Sequence, residues 1–125
     1  MMDGSVVLDL HSMTKIIEIN EEYACAVVEP GVTFMDLYDE IQKRGLDLWL
    51  SFPALGWGYV VGNNLERGIG YTPEAAHYKH QSGMEIVLPN GDFLRAGMGA
   101  VENSKLFPVH SGYIASSAIA NQKLD

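Results

Sequence analysis

The sequence predicts an α+β domain of short strands with one or two helices, and three observations carry that expectation. Residues 15–20 (KIIEIN) and 23–28 (YACAVV) are β-type runs, and Asn20-Glu21-Glu22 between them reads as a hairpin connection. Phe34, Leu37, Tyr38 and Ile41 fall at i, i+3, i+4 and i+7, the apolar stripe of a helix. Residues 84–88 and 93–96 flank Pro89-Asn90-Gly91-Asp92, and Asn-Gly is the strongest short hairpin signal because both residues tolerate positive φ.

The remaining elements follow in order. Residues 5–10 (SVVLDL) form an apolar, β-branched run that reads as a buried strand starting almost at the first residue. Glu29-Pro30-Gly31 stops the second strand. Thr33 then caps the helix, with Asp36 three residues on as an imperfect capping box, and Gly45 ends it. Residues 46–50 (LDLWL) read as a short strand, and residues 60–66 as a short helix or turn. Beyond Gly97 the pattern dissolves: Pro108 and Gly112 are breakers, and residues 115–120 are a small-residue run, weakly helical.

At 125 residues the chain is one domain at most, able to bury about two-thirds of its unfolded surface. Apolar residues make up 47% and charged residues 19%, a globular composition. The net charge of −8 argues against nucleic acid and anionic membrane as partners, since both need a basic footprint. A lone cysteine, Cys25, excludes an intramolecular disulfide and fits a reducing compartment. The first residues lack the basic start and apolar core of a signal peptide, so a cytoplasmic location is expected.

The chemistry concentrates between Ser51 and Pro73. Gly56, Gly58, Gly62, Gly68 and Gly70 surround an Asn63-Asn64-Leu65-Glu66-Arg67 core. Glycine at this density is costly in helices and strands, and is tolerated where backbone must turn with positive φ or press closely on something else. Trp57, Tyr59, Val60, Val61, Leu65, Ile69 and Tyr71 make the stretch too apolar for a solvated linker. Amide and carboxylate side chains framed by glycines can bind a ribose or a ring edge, and Arg67 can pair with a phosphate or carboxylate. A structural hydrogen-bond cluster pinning an irregular loop accounts for the same residues equally well. His77 and His80, at i and i+3, lack the companions of a metal site and read as solvated or singly hydrogen-bonded; His11 and His110 read as surface residues. No GxSxG elbow supports a serine hydrolase, and neither phosphate-loop pattern is complete.

A series of blocks occurs in one order and spacing: residues 5–10, 28–33, Gly62-Asn63, 66–73 (ERGIGYTP), 82–88 (SGMEIVL) and 95–99 (RAGMG). Together they resemble the vanillyl-alcohol oxidase and para-cresol methylhydroxylase family of flavoproteins. The resemblance implies the second subdomain of a family-type FAD-binding domain over residues 1–108, with a divergent tail over 109–125. Carried over by position, it implies FAD contacts at Pro53, Leu55, Gly58, Tyr59, Gly62, Asn63, Glu66, Gly68, Ile69, Gly70 and Tyr71. Family members oxidise para-substituted phenols by hydride transfer from the benzylic carbon to the flavin. Their electrons then pass to O₂ or to a cytochrome c subunit.

The departures from the family pattern are also specific. Where the oxidase branch carries an Asp near the flavin, this chain has Ala54, which can neither accept a proton nor hydrogen-bond a hydroxyl. After Thr72-Pro73 the family's Tyr-Gly-Asp-His is replaced by Glu74-Ala75-Ala76-His77. The first family subdomain and the substrate domain are expected to lie outside this chain, which therefore reads as part of a flavoenzyme that needs the missing subdomains in trans. The competing expectation is a remnant that folds and self-associates through its exposed apolar face and unpaired edges, without binding FAD.

Overall fold

In a computed structural model of the protein, residues 4–73, 75–97 and 119–120 are described. These residues form three antiparallel two-stranded pairings, two α-helices and a 3₁₀ turn. Strands β1 (Ile16–Asn20) and β2 (Cys25–Val28) form the expected first hairpin. Asn20 closes its turn by accepting the Tyr23 N–H on Oδ1 at 3.0 Å, an Asx-type arrangement, and Ala24 takes the left-handed φ of 47° that completes it. The strand consequently starts at Cys25, two residues later than the run of apolar residues suggests.

Helix α1 (Phe34–Arg44) is capped at both ends as its sequence predicts. The Thr33 hydroxyl accepts the Asp36 N–H, and the Asp36 carboxylate accepts the Thr33 N–H, so the capping box is complete despite Asp standing where Glu is usual. Gly45 ends the helix with φ 66°. Phe34, Leu37 and Ile41 are fully buried against Val28 and Val32, while Tyr38 lies at the edge of the stripe and stays partly exposed. This helix-on-hairpin contact, closed by Leu50, Val60 and Val61, is the core.

Residues 46–50 are only partly a strand. Leu46 and Leu48 pack on the core, and β3 is Trp49–Leu50, paired with β6 (Ile119–Ala120). Those last two residues belong to the run expected to be weakly helical; the pairing shows that backbone partners at Trp49 and Leu50 outweigh its weak helical tendency. The rest of that run, and the tail boundary expected at Pro108, lie outside the described residues. Helix α2 (Val60–Leu65) and the 3₁₀ turn (His77–His80) pack together. Strands β4 (Gly83–Val87) and β5 (Phe93–Gly97) form the Asn-Gly hairpin, with Gly91 at φ 87° and Glu85 opposite Arg95 in an ion pair of 2.5 Å.

Residues 5–10 do not form the expected strand. Val6 is 95% exposed and Leu8 81% exposed. The residue pattern suits a strand, but among the described residues no neighbouring strand lies alongside to complete a ladder. Where the segment ends, carbonyls of Leu10, His11 and Met13 close over Gly31, leaving no room for a Cβ there.

Candidate functional site

The glycine-rich stretch leaves β3, passes the start of α1, forms α2 and returns to meet the 3₁₀ turn. Helix α1 holds its first half. The Phe34 N–H donates to the Gly58 carbonyl at 3.1 Å, and the Met35 N–H to the Gly56 carbonyl at 3.0 Å. With the Asp36 N–H on the Thr33 hydroxyl, the first-turn donors are used within the chain, and α1 offers no anion site at its N-terminus.

A buried polar chain holds the second half. His77 is fully buried, its ring 5.3 Å from that of Phe34. Its Nδ1–H donates to Asn63 Oδ1 at 2.5 Å, and its Nε2 accepts the hydroxyl of buried Ser51 at 3.0 Å. Ser51 Oγ in turn lies 3.1 Å from Thr72 Oγ1. The expectation of a solvated or singly bonded His77 is thus corrected: the 3₁₀ turn carries it inward, where a buried imidazole needs partners on both nitrogens. Both nitrogens being engaged, His77 and His80 are not a ligand pair, and no metal-holding group of three His, Cys, Asp or Glu occurs among the described residues. Ser51, having no exposed surface, meets no substrate as a nucleophile. The Cys25 thiol is likewise buried, and burial, with the Glu18 charge, pushes its ionisation up and keeps it protonated.

Burial, and next the charge of His80, hold the pKa of His77 below its usual value. The unfolded chain therefore takes up a proton at this residue before the folded chain does. The contribution is level above about pH 6.5 and falls as pH drops below that value, by up to about 1.4 kcal/mol per pH unit until the folded residue also titrates. Urea unfolding at pH 7.5 and 5.5 is expected to show this loss, and His77→Gln to remove most of the pH dependence over that interval.

Four of the five glycines divide into two groups; at the fifth, Gly56, a Cβ would press at 3.1 Å on the Met35 side chain. A Cβ on Gly70 would lie 2.5 Å from His77 Nε2 and 2.8 Å from the Phe52 carbonyl oxygen, and would strike Ser51 Oγ; one on Gly68 would strike the Asn63 side chain. These two glycines are required by the chain's own polar cluster. The same requirement explains an unusual helix end. The N–H of Arg67 bonds to the Asn64 carbonyl and that of Gly68 to the Asn63 carbonyl, a Schellman arrangement in which Arg67, not glycine, takes the left-handed position at φ 55°. Gly58 and Gly62 are different. A Cβ would meet only ordinary contacts at 3.6 and 3.8 Å, and neither has positive φ, so nothing among the described residues calls for glycine there.

The same stretch exposes apolar side chains. Leu55, Tyr59, Ile69 and Tyr71 are exposed, Tyr71 by 84%. Pro53 is half-buried beside them, and Glu66 is exposed at the end of α2. Asn63 is half-buried with its amide oxygen committed to His77, and Gly70 is buried beneath the surface. Ala54 is exposed and contributes a methyl group only. The His77 chain was invisible to residue spacing, because Ser51 follows β3, Asn63 sits on α2 and His77 on the 3₁₀ turn. Only the glycines at 68 and 70 betray it, as positions with no room for a side chain.

Open glycines flanked by exposed apolar side chains fit a flat cofactor, and comparison with known proteins agrees. The FAD binding domain family matches residues 1–97. The chain belongs to that family, and its cofactor is FAD. It is 50% identical over 107 residues to the 4-cresol dehydrogenase (hydroxylating) flavoprotein subunit of Pseudomonas putida, covering 85% of this chain and 20% of that protein. Against a crystal structure of p-cresol methylhydroxylase with substrate bound, the TM-score is 0.77 at 43% identity, over 93% of this chain and 25% of the other. A 4-ethylphenol oxidase from Gulosibacter chungangensis gives 0.76 at 38% identity, again over 93% and 25%. The fold is therefore that of a p-cresol methylhydroxylase-type FAD-binding domain, and the chain spans about a fifth to a quarter of the relatives it matches.

Proposed function

We propose that this chain forms one wall of an FAD site, with the cofactor lying along residues 53–71. The observation that carries the reading is the pair Gly58 and Gly62, which no described residue requires to be glycine, on a stretch that also exposes Leu55, Tyr59, Ile69 and Tyr71. Such a surface allows a planar ring close to the backbone and covers it with apolar side chains. Pro53 lines the same wall. Gly68 and Gly70, whose backbone N–H groups are bonded within the chain, serve the wall from beneath by making room for the Asn63, Ser51 and His77 side chains, Glu66 accepts hydrogen bonds from sugar hydroxyls, and Asn63 donates through its remaining amide hydrogens. Arg67, whose guanidinium stands 6.0 Å from the centre of the Tyr78 ring, supplies positive charge for the pyrophosphate.

Bound FAD supplies a hydride acceptor, and para-substituted phenols are the proposed substrate class. With Ala54 where the oxidase branch has Asp, this chain provides no carboxylate at that place, and Tyr71 acts as a hydrogen-bonding wall instead of a base. The subdomains expected outside this chain complete the site. The name "flavoprotein subunit" carried by the Pseudomonas relative supports a second subunit, for which a cytochrome c is proposed here. Those subdomains in trans, or a homo-oligomer in their place, and a cytoplasmic location complete the proposal.

Visible absorption of the purified chain, before and after adding FAD and desalting, tests the reading. Retained flavin bands are expected, with light scattering reporting the size. A colourless chain whose size grows with concentration would favour the competing view, that exposed residues such as Val6, Leu8 and Trp57 drive self-association without cofactor.

A further inference from the structure

We propose that the buried His77 chain fixes the hydrogen-bond polarity of the cofactor surface: Thr72 is an obligate acceptor, so the ligand group over it is an N–H or O–H donor and not a phosphate. The inference rests on the FAD reading above and deepens it. The count of hydrogens along the chain is closed. Asn63 turns its carbonyl oxygen to His77, so the single proton of the neutral imidazole sits on Nδ1. Nε2 must then accept, and the Ser51 hydroxyl spends its one hydrogen there. Ser51 is left with lone pairs toward Thr72, so the Thr72 hydroxyl gives its own hydrogen inward at 3.1 Å. What Thr72 has left is lone pairs.

Thr72 is half-buried between exposed Tyr71 and Pro73, where the stretch meets solvent. A phosphate at neutral pH offers only acceptor oxygens, which would face those lone pairs unfavourably. FAD carries donors on the ring imide and ribityl hydroxyls of its flavin half and on the ribose and adenine of the other half; Thr72 adjoins Tyr71, the residue proposed above as the wall on the substrate side, and so takes the flavin half. The opposite end of the chain has the opposite sign. Asn63 has its oxygen engaged and keeps amide hydrogens, beside Arg67, so the pyrophosphate belongs at that end. His77 is thereby a positioning residue: it touches no ligand and sets which way two surface groups point their hydrogens.

Two measurements test this. Nitrogen-15 NMR of the labelled chain is expected to show the Nδ1–H tautomer at His77. An Nε2–H tautomer would mean that Asn63 is turned about and Thr72 donates outward, overturning the proposal. Binding of riboflavin and of ADP then reads the two halves separately. Thr72→Val is expected to weaken riboflavin about tenfold, the effect of one hydrogen bond, and to leave ADP within about twofold. Thr72→Ser, which keeps the hydroxyl, is expected to bind both as the parent does. Equal losses for the two ligands, or none for riboflavin, would overturn the proposal. Failure of the parent chain to take up FAD, riboflavin or ADP would instead overturn the cofactor reading and the ligand assignment built on it, while the tautomer still decides the polarity.

Discussion

Alanine at position 70 is expected to destabilise the chain by about 3 kcal/mol, near the upper end for overpacking a tight site. The new methyl group has three neighbours to displace, and two cannot move cheaply. The Phe52 carbonyl is backbone just beyond β3, and His77 is clamped between Ser51 and Asn63. Gly70 itself cannot retreat, because its N–H is bonded to the Ala75 carbonyl at 2.7 Å and the adjacent residues 69 and 76 form a bridge. Alanine at position 62 should do the reverse. That site is helical and open, so removing glycine is expected to stabilise by about 0.8 kcal/mol while obstructing FAD. Urea unfolding of both variants, with flavin retention measured alongside, separates glycines kept for packing from glycines kept for the ligand. Similar stability changes of one sign in both variants would show the division to be wrong.

That division marks how far the sequence could be read. Local rules were enough for the elements that satisfy their own backbone groups. The Thr33–Asp36 box, Gly45, and the Asn90-Gly91 turn each carry their signal within a few residues. The 5–10 strand failed because a strand is defined by a neighbour, and no residue in SVVLDL says whether one is present. The glycine stretch was legible as a place of close approach, but not as to what approaches. For Gly68 and Gly70 the answer is Asn63, Ser51 and His77, side chains arriving from elsewhere in the chain. Asn63 illustrates the ambiguity well. The residues left a structural cluster and a ligand contact equally open, and the geometry engages its oxygen internally while its amide hydrogens are available to the proposed cofactor.

Phe34→Ala is expected to be the most damaging single core change, about 3–5 kcal/mol, because the site and the core meet at this ring. Phe34 is fully buried at the first position of α1; its ring lies 6.2 Å from that of Phe52 and 5.3 Å from that of His77. Its backbone N–H holds the Gly58 carbonyl, so the same residue ties the helix to both halves of the glycine-rich stretch. Truncation would leave a cavity against His77 and admit water to an imidazole whose pKa is lowered chiefly by burial. The variant should therefore show two linked changes: a large fall in the urea midpoint, and a His77 titration moved up toward that of an exposed histidine. Phe34→Leu, which refills much of the volume, should recover most of the stability and most of the lowered titration. If truncation cost stability but left the His77 titration where it was, the ring would be core packing alone. A coupled change would mean that the helix cap, the hydrophobic core and the polar chain beneath the proposed flavin wall are one cooperative unit. In that case a core substitution far from the ligand would also weaken cofactor binding.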